Sequence, residues 1–503
     1  MSLSKKEINE NEVLYSYAVK QIKKYLDYYN PSKNKNINKY KKPIYGDKSY
    51  EKILRKNFIW KNKKKETLPN EPVQFKYCIL TSKSKFAKEP AVKKAMEKAK
   101  VAELATIDMD IKEALDKSYE SWSRVANISF TEVYDYDKAD LVVCFYSKNI
   151  KKADLNPFTK LPTKGNYKSH SWFNMNNDKF SDKKFLEVNR NIRKAFVHEI
   201  GHQLSLIHPS PYDAGDKEKP NYEKSASHFE DSFAYTVMSY FNSSYTGQDF
   251  EDLYPSCPVM NDISAVQKLY GLNSSNYPTY IVYGFNSNTG LDYETALHKE
   301  SKLIFCACPP NIISGKEIEV NRFDFSGFVQ DQVINLNEGA FSDVGGLKGN
   351  VSIARGCTIH EAIGGRGNDI IIGNNVPKNL EGTAGNNILY SGFGGGTIRG
   401  GTGKNTFVYL SGNQSIDSSY DTILDFESGK DKVDLSGFDF GGTGKVKFVE
   451  RHNFGQPGDA YFIYQSIYNS TSLYIKLGKG MVSDMFMLVF IGIKELTESD
   501  FIL

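Results

Sequence analysis

"HEIGHQLSLIHP" (residues 198–209) gathers three of the chain's eight histidines into one short stretch, with Glu199 beside the first. On a helix, side chains four apart lie on one face about a turn apart. His198 and His202 can therefore reach a single ion, and Glu199 between them can take a proton from water. His208, followed by Pro209, adds a third imidazole. Three neutral imidazoles leave one coordination position for water, as catalytic zinc requires. The pair alone also fits a helix whose face merely carries histidines, so the surrounding chain has to decide.

Upstream, "RNIRKAFVHEIGHQL" (190–204) puts Ile192, Phe196, Ile200 and Leu204 at steps of four, a core-facing helical stripe on a different face from the histidines. About thirty residues downstream, "YTVMSYF" (235–241) sets Met238 in a short turn. Before the helix, "VQFKYCILT" (73–81), "ANISFTEV" (126–133) and "ADLVVCFY" (139–146) read as strands, and Ile111, Leu115, Tyr119 and Trp122 take helical spacing.

Beyond about residue 275 helical periodicity nearly vanishes, and more than half of the 39 glycines fall between 338 and 445. "GGRGNDIII" (364–372), "EGTAGNNIL" (381–389), "SGFGGGTI" (391–398) and "GGTGKNTFV" (400–408) follow a nine-residue pattern, the signature of a parallel β-roll. Its apolar position faces inward, and its aspartate holds calcium between turns. A flexible linker would not keep apolar residues in register. The last strands, "YFIYQSIYNSTSLYIKLGKGMVSDMFMLVFIGI", alternate apolar and polar residues.

Charge is unevenly placed. Residues 1–70 carry 18 Lys/Arg against 7 Asp/Glu, whereas the whole chain carries 64 against 60. This basic arm, with "NPSKNKNINKYKKP" at its centre, is accompanied by no nucleic-acid-binding motif, and Lys, Asn, Ile and Tyr are abundant everywhere. Nucleic acid is therefore not an expected partner. No run of about 18 apolar residues exists to enter a membrane, and no N-terminal signal peptide is evident. The six cysteines have neither metal-type nor knot-type spacing and read as ordinary thiols.

With the third histidine, the methionine turn and the glycine-rich repeats in this order, residues 73–503 resemble the serralysin family of metzincin zinc peptidases. "SWSRVANISFTEV" (121–133), "NDISAVQKLYGLN" (261–273), "VYGFNSNTG" (282–290), "INLNEGAFSDVGGLKGNVSIARGCTIHEAIGGRGNDI" (334–370) and "YDTILDFESGKDKVDLSGF" (420–438) look like that family almost throughout. The resemblance implies an α+β zincin/metzincin catalytic domain over 71–273. An all-β domain over 274–503 follows, a parallel β-roll passing into a β-sandwich, and the basic arm 1–70 precedes both as a possible propeptide.

It further implies that His198, His202 and His208 bind zinc and that Glu199 is the general base for a zinc-activated water. Met238 would be the floor beneath the metal, and Tyr240 would face the oxyanion. Substrate proteins or peptides would lie along an edge strand at "PFTKLP" (157–162). Secretion is expected through a type I apparatus reading "VSDMFMLVFIGIKELTESDFIL" (482–503). The expected product is an extracellular, monomeric endopeptidase with a virulence or nutritional role.

Two departures stand out. Ser205 occupies the position where the metzincin motif has glycine, three residues after His202; a left-handed residue there costs on the order of 1–2 kcal/mol. Only one repeat keeps its aspartate: Asp369, with Gly365 and Gly367, while Asn387, Gly396 and Asn405 replace the others. Thr279-Tyr280-Ile281 replaces a further calcium-binding segment, although Asp324, Asp425, Asp431 and Asp434 remain. One or two residual calcium sites are therefore expected. A zinc endopeptidase is the leading function; a decayed peptidase whose roll serves as a secreted binding module is the alternative.

Overall fold

The computed structural model describes residues 15–56, 60, 72–149, 156–163, 167–180, 182–213, 218–273, 280–309, 312–313, 316–317 and 320–503. Residues 1–14 of the arm and Thr279 lie outside that set. In the first half, β-rich and amphipathic segments build a sheet covered by helices. β1 (Val73–Leu80), β2 (Val101–Leu104), β3 (Ile128–Glu132), β4 (Leu141–Asn149), β5 (Phe158–Lys160) and β6 (Ser169–Asn174) form it, in the order β3-β1-β4-β6-β5 with β2 against β4. β3, β1, β4 and β6 run parallel, and β5 is antiparallel at the edge.

Three helices position the rest: α1 (Met109–Val125), α2 (Asn191–Gln203) and α3 (Met260–Tyr270). Asp108 caps α1 by accepting from the Ile111 N–H. The expected stripes are buried: Ile111, Leu115, Tyr119 and Trp122 on α1, and Ile192, Phe196 and Ile200 on α2, continued by Leu204. The sheet and α2 thus meet through side chains that the sequence spaced for that purpose.

The second half is a roll of short parallel strands in two sheets. Ile371, Leu389 and Phe407 stack in register, eighteen residues apart, followed by Val433; all four are fully buried. Opposite them Leu380, Ile398 and Ile423 stack in the other sheet. That sheet then continues through the antiparallel strands Met485–Ile491, Ser470–Lys476 and Asp459–Gln465, which make up the sandwich. A single connected core joins Val73, Trp122 and Met238 of the first half to Phe323, Phe407 and Phe501 of the second.

The described residues of the arm are packed against the body. Its helix Tyr17–Leu26 buries Ala18, Val19 and Ile22 against Ile372, Ile388, Tyr390 and Val408 of the roll. Further on, the 3-10 turn Gly46–Ile53 lies against α3, and Trp60 is fully buried. Five of the six cysteines are buried and Cys308 is half-buried; all are free thiols, although Cys357 Sγ comes within 3.8 Å of Cys308 Sγ. Among the described residues no helix is long and apolar enough to cross a membrane.

Candidate active site

α2 carries His198 and His202 on one face, and the chain then reverses to return His208. The reversal runs through Ser205, whose φ of 74° is left-handed. The Leu206 N–H closes it by donating to the Gly201 carbonyl at 2.9 Å. Arm residues brace the returning segment: the Ile207 N–H donates to the Ile53 carbonyl at 2.9 Å, and Leu54 pairs with Leu206. Trp60 donates to the Gln203 carbonyl at 2.8 Å, fixing the last turn of α2.

Each imidazole has its Nδ1 against a backbone carbonyl: His198 on Val237 at 2.7 Å, His202 on Leu206 at 2.9 Å and His208 on Tyr212 at 2.9 Å. A carbonyl only accepts, so Nδ1 carries the proton in all three and every Nε2 presents a lone pair. The Nε2 atoms converge, with His208 3.1 Å from His202 and 3.3 Å from His198. Three lone pairs this close repel one another unless a cation sits among them. Burial, reinforced by the neighbouring imidazoles, pulls His202 down to about 3 and His198 well below its ordinary value, so both are neutral, as ligands must be. The donor set, with carbonyls orienting each ring, fits zinc. Among the described residues no other group of three His, Cys, Asp or Glu side chains lies close enough to hold a metal.

Glu199 is buried beside them. Burial pushes its carboxyl up to about 7, against the opposing pull of the Thr159 hydroxyl and the Lys194 ammonium. Thr159, on the edge strand β5, donates to Glu199 Oε2 at 2.5 Å. Sequence reasoning singled out that strand but not this residue; a threonine forty positions from its partner leaves no local signal.

Beneath the histidines lies Met238, fully buried. A Cβ on Gly201 would stand only 2.6 Å from its Sδ, so glycine in the middle of the motif makes room for the methionine. The turn is held by Asp262 at the start of α3, which accepts from the Thr236 hydroxyl at 2.6 Å and from the Val237 N–H at 2.8 Å. Asp231 braces the far side of the same turn. It accepts from Ser239 at 2.7 Å, from Ser210 at 2.6 Å and from Tyr212 at 2.8 Å, tying the segment after His208 to the methionine turn. Spacing along the chain marks neither aspartate. The Tyr240 ring faces the site, its centroid 4.6 Å from that of His208.

Glu199, His202, His208, Tyr212 and Tyr240 line a cleft of about 570 Å³ whose other walls include Phe158, Thr159 and, from the arm, Lys52. A larger groove of about 970 Å³ lies away from the histidines. Among its charges Arg193 pairs with Asp292, and Lys117 with Glu113 and Asp292. The roll's expected site residues lie far along the chain from the cleft. Asp369 is fully buried, its Oδ2 accepting from the Gly365 N–H at 2.5 Å and its Oδ1 from the Gln332 N–H at 2.9 Å. The backbone of Gly367 is packed against Gln330, where a Cβ would stand 2.4 Å from its carbonyl oxygen.

Two family descriptions match the chain: matrixin over residues 96–230 and the C-terminal domain of M10 serralysin peptidases over 273–503. It is 41% identical over 505 residues to a protein of Photorhabdus laumondii named serralysin, the alignment covering all of both chains. It is 36% identical over 483 residues to the metallopeptidase AprA of Pseudomonas marginalis, covering 95% of each. A protein of Dickeya chrysanthemi named serralysin B is 40% identical over 361 residues, 71% of this chain and 72% of that one.

Proposed function

The chain belongs to the serralysin family and is a zinc metalloendopeptidase, and on that premise we propose the role each residue takes. The observation that carries the reading is the convergence of three Nε2 lone pairs beside a buried carboxylate. His198, His202 and His208 hold the zinc. When bound, zinc supplies the Lewis acidity that polarises a scissile carbonyl and makes water a nucleophile near neutral pH.

Glu199 accepts the proton of the attacking water and returns it to the leaving amine; a carboxyl poised near 7 suits both directions. The Thr159 hydroxyl holds Oε2 in place, leaving Oε1 to face the water. Tyr240 donates its phenolic proton to the oxyanion of the tetrahedral intermediate. Met238 fixes the height of the histidines. Substrate extends along the outer edge of β5 as an added strand, which brings its backbone past Glu199.

Outside the cleft, Asp369 with Gly365 and Gly367 is the roll turn that keeps a carboxylate for calcium. The protein acts outside the cell as a monomer on protein substrates, exported by a type I apparatus. The segment resembling the export signal supplies the strands Met485–Ile491 and Phe501–Ile502, so it is read before the roll closes. A processing cut that leaves the body intact falls before Ser16, whose hydroxyl donates to Asp434 and whose N–H donates to Ser436.

The test is casein digestion by the purified chain beside Glu199→Ala. Loss of a general base lowers turnover by about 10²–10⁴-fold, with zinc content and the far-UV circular dichroism spectrum unchanged. Equal digestion by both, or by neither, sinks the assignment; the second outcome would favour the binding-module alternative.

A further inference from the structure

Where turns of the roll pack on one another, backbone carbonyl oxygens converge, those of Phe393 and Gly395 at one place and those of Gly385 and Gly400 at another, and buried oxygens need a donor or a cation. In the nine-residue pattern the aspartate recruits calcium to such a place. On one edge of this roll the position passes through Asp369, Asn387, Asn405 and Asp431; on the other it passes through Lys378, Gly396 and Asp421. Lys378 opens its strand as the aspartate would, in "GNNVPKNLE" (373–381), a repeat so poor in glycine that its composition hides it.

Lys378 is 3% exposed, an unusual place for an ammonium, and among the described residues no carboxylate is in ion-pair contact with it. Its stem runs over Gly373, where a Cβ would come within 2.7 Å of Lys378 Cδ. Its Nζ donates to the carbonyls of Phe393 at 2.6 Å and Gly395 at 3.0 Å, both from the next turn along the stack. Asp421, one turn further, is fully buried and engaged by the hydroxyls of Ser391 at 2.9 Å and Tyr409 at 3.0 Å. Burial brings Lys378 down to about 8 while Asp421 pulls the other way, so the ammonium is charged at neutral pH.

On the opposite edge the asparagines do the same with amides. Asn387 Nδ2 donates to the carbonyls of Ala384, Gly385 and Gly400 at 3.1, 3.3 and 3.1 Å. Asn405 Nδ2 donates to the Gly401 carbonyl at 3.1 Å. Their Oδ1 atoms accept the N–H of the residue eighteen positions back, Asp369 at 2.9 Å and Asn387 at 3.1 Å. What sets these turns apart is the amide nitrogen, whose N–H groups occupy the carbonyl oxygens that a divalent ion would take.

We infer that Lys378 on one edge and the Asn387–Asn405 ladder on the other occupy the places of calcium ions, so that these coils carry their positive partners covalently and close without the metal. Asp369, Asp421 and Asp431 keep carboxylates at the same register positions.

The test takes the full-length, zinc-loaded chain in calcium-depleted buffer and titrates calcium chloride to about 1 mM, the range of extracellular calcium modules. Calcium bound per chain and the unfolding midpoint are both read. The wild type should be folded without calcium, bind no more than one or two ions, none of them at the Lys378 or Asn387–Asn405 turns, and shift its midpoint little. Lys378→Asp should melt several degrees lower without calcium, recover when calcium is added, and bind one more ion than the wild type. Lys378→Met keeps the stem but not the charge; it should lose stability that calcium does not restore. If Lys378→Asp does not fold in depleted buffer, refolding on calcium addition is the same result read as yield. The inference is overturned if the wild type binds several ions with a large rise in midpoint. It is equally overturned if Lys378→Asp gains neither ion nor recovery while Lys378→Met matches the wild type.

Discussion

At Ser205 the backbone takes φ 74°, the conformation that the glycine of the family motif supplies without strain. The third histidine therefore returns through a strained serine, with the neighbouring Tyr270 phenol donating to the Leu204 carbonyl at 2.7 Å. Replacing Ser205 by glycine relieves about 1–2 kcal/mol of strain but adds about 0.5–1 kcal/mol of unfolded-state freedom. Urea denaturation of Ser205→Gly should thus show a gain of about 0–1.5 kcal/mol in stability. A β-branched residue has no such offset, and Ser205→Val should lose about 1–3 kcal/mol. This position is legible in the sequence because the departure falls inside a motif of fixed spacing. Thr159 and Lys378 are not: one meets Glu199 only when the edge strand folds over the helix, and the other hides in a repeat lacking most of its glycines.

At the scale of elements, α2 and the methionine turn form one unit. A glycine inside a helix ordinarily costs about 1 kcal/mol against alanine, so Gly201→Ala should look stabilising. With Met238 Sδ 2.6 Å and Trp122 Cζ2 3.2 Å from the new Cβ, it should instead cost about 1–3 kcal/mol and speed zinc loss, measured by denaturation and by chelator competition. α3 contributes through Asp262, which burial pushes up to about 7 against the Thr236 hydroxyl and the N–H groups of Val237 and Val259. Its unfolded value is about 3.9, so between about pH 4 and about pH 7 the folded chain keeps a proton that the unfolded chain has lost. The stability this provides is complete below about pH 4 and drains away as pH rises to about 7. Asp262→Asn should flatten that slope, and equal slopes for both proteins would exclude the assignment. Helix and strand stripes are readable because their periods of four and two survive in the primary sequence. The two aspartates that lock the turns carry no period, and only the tertiary fold brings them to their partners.

For the molecule as a whole, the order of the domains is readable: sheet and helices first, roll second. The arm is not. Its lysines suggest solvent, whereas Ala18, Val19, Ile22 and Ile53 are buried and Ile53 hydrogen-bonds the segment carrying His208. Ala18, Val19 and Ile22 keep helical spacing, but nothing in that period tells that the helix packs on the roll or that Ile53 lies beside the cleft. The core that these contacts extend does not stop at the junction between peptidase and roll but runs through it from Val73 to Phe501. Chains with two separate cores usually absorb heat in two steps. Here neither half can lose its packing without exposing the other's. Differential scanning calorimetry of the zinc-loaded protein should therefore give one peak with equal van't Hoff and calorimetric enthalpies, and a fragment cut at residue 273 should show no cooperative transition of its own. Proteolytic power and the glycine-rich stack would then share one thermodynamic fate: the enzyme cannot outlive its roll.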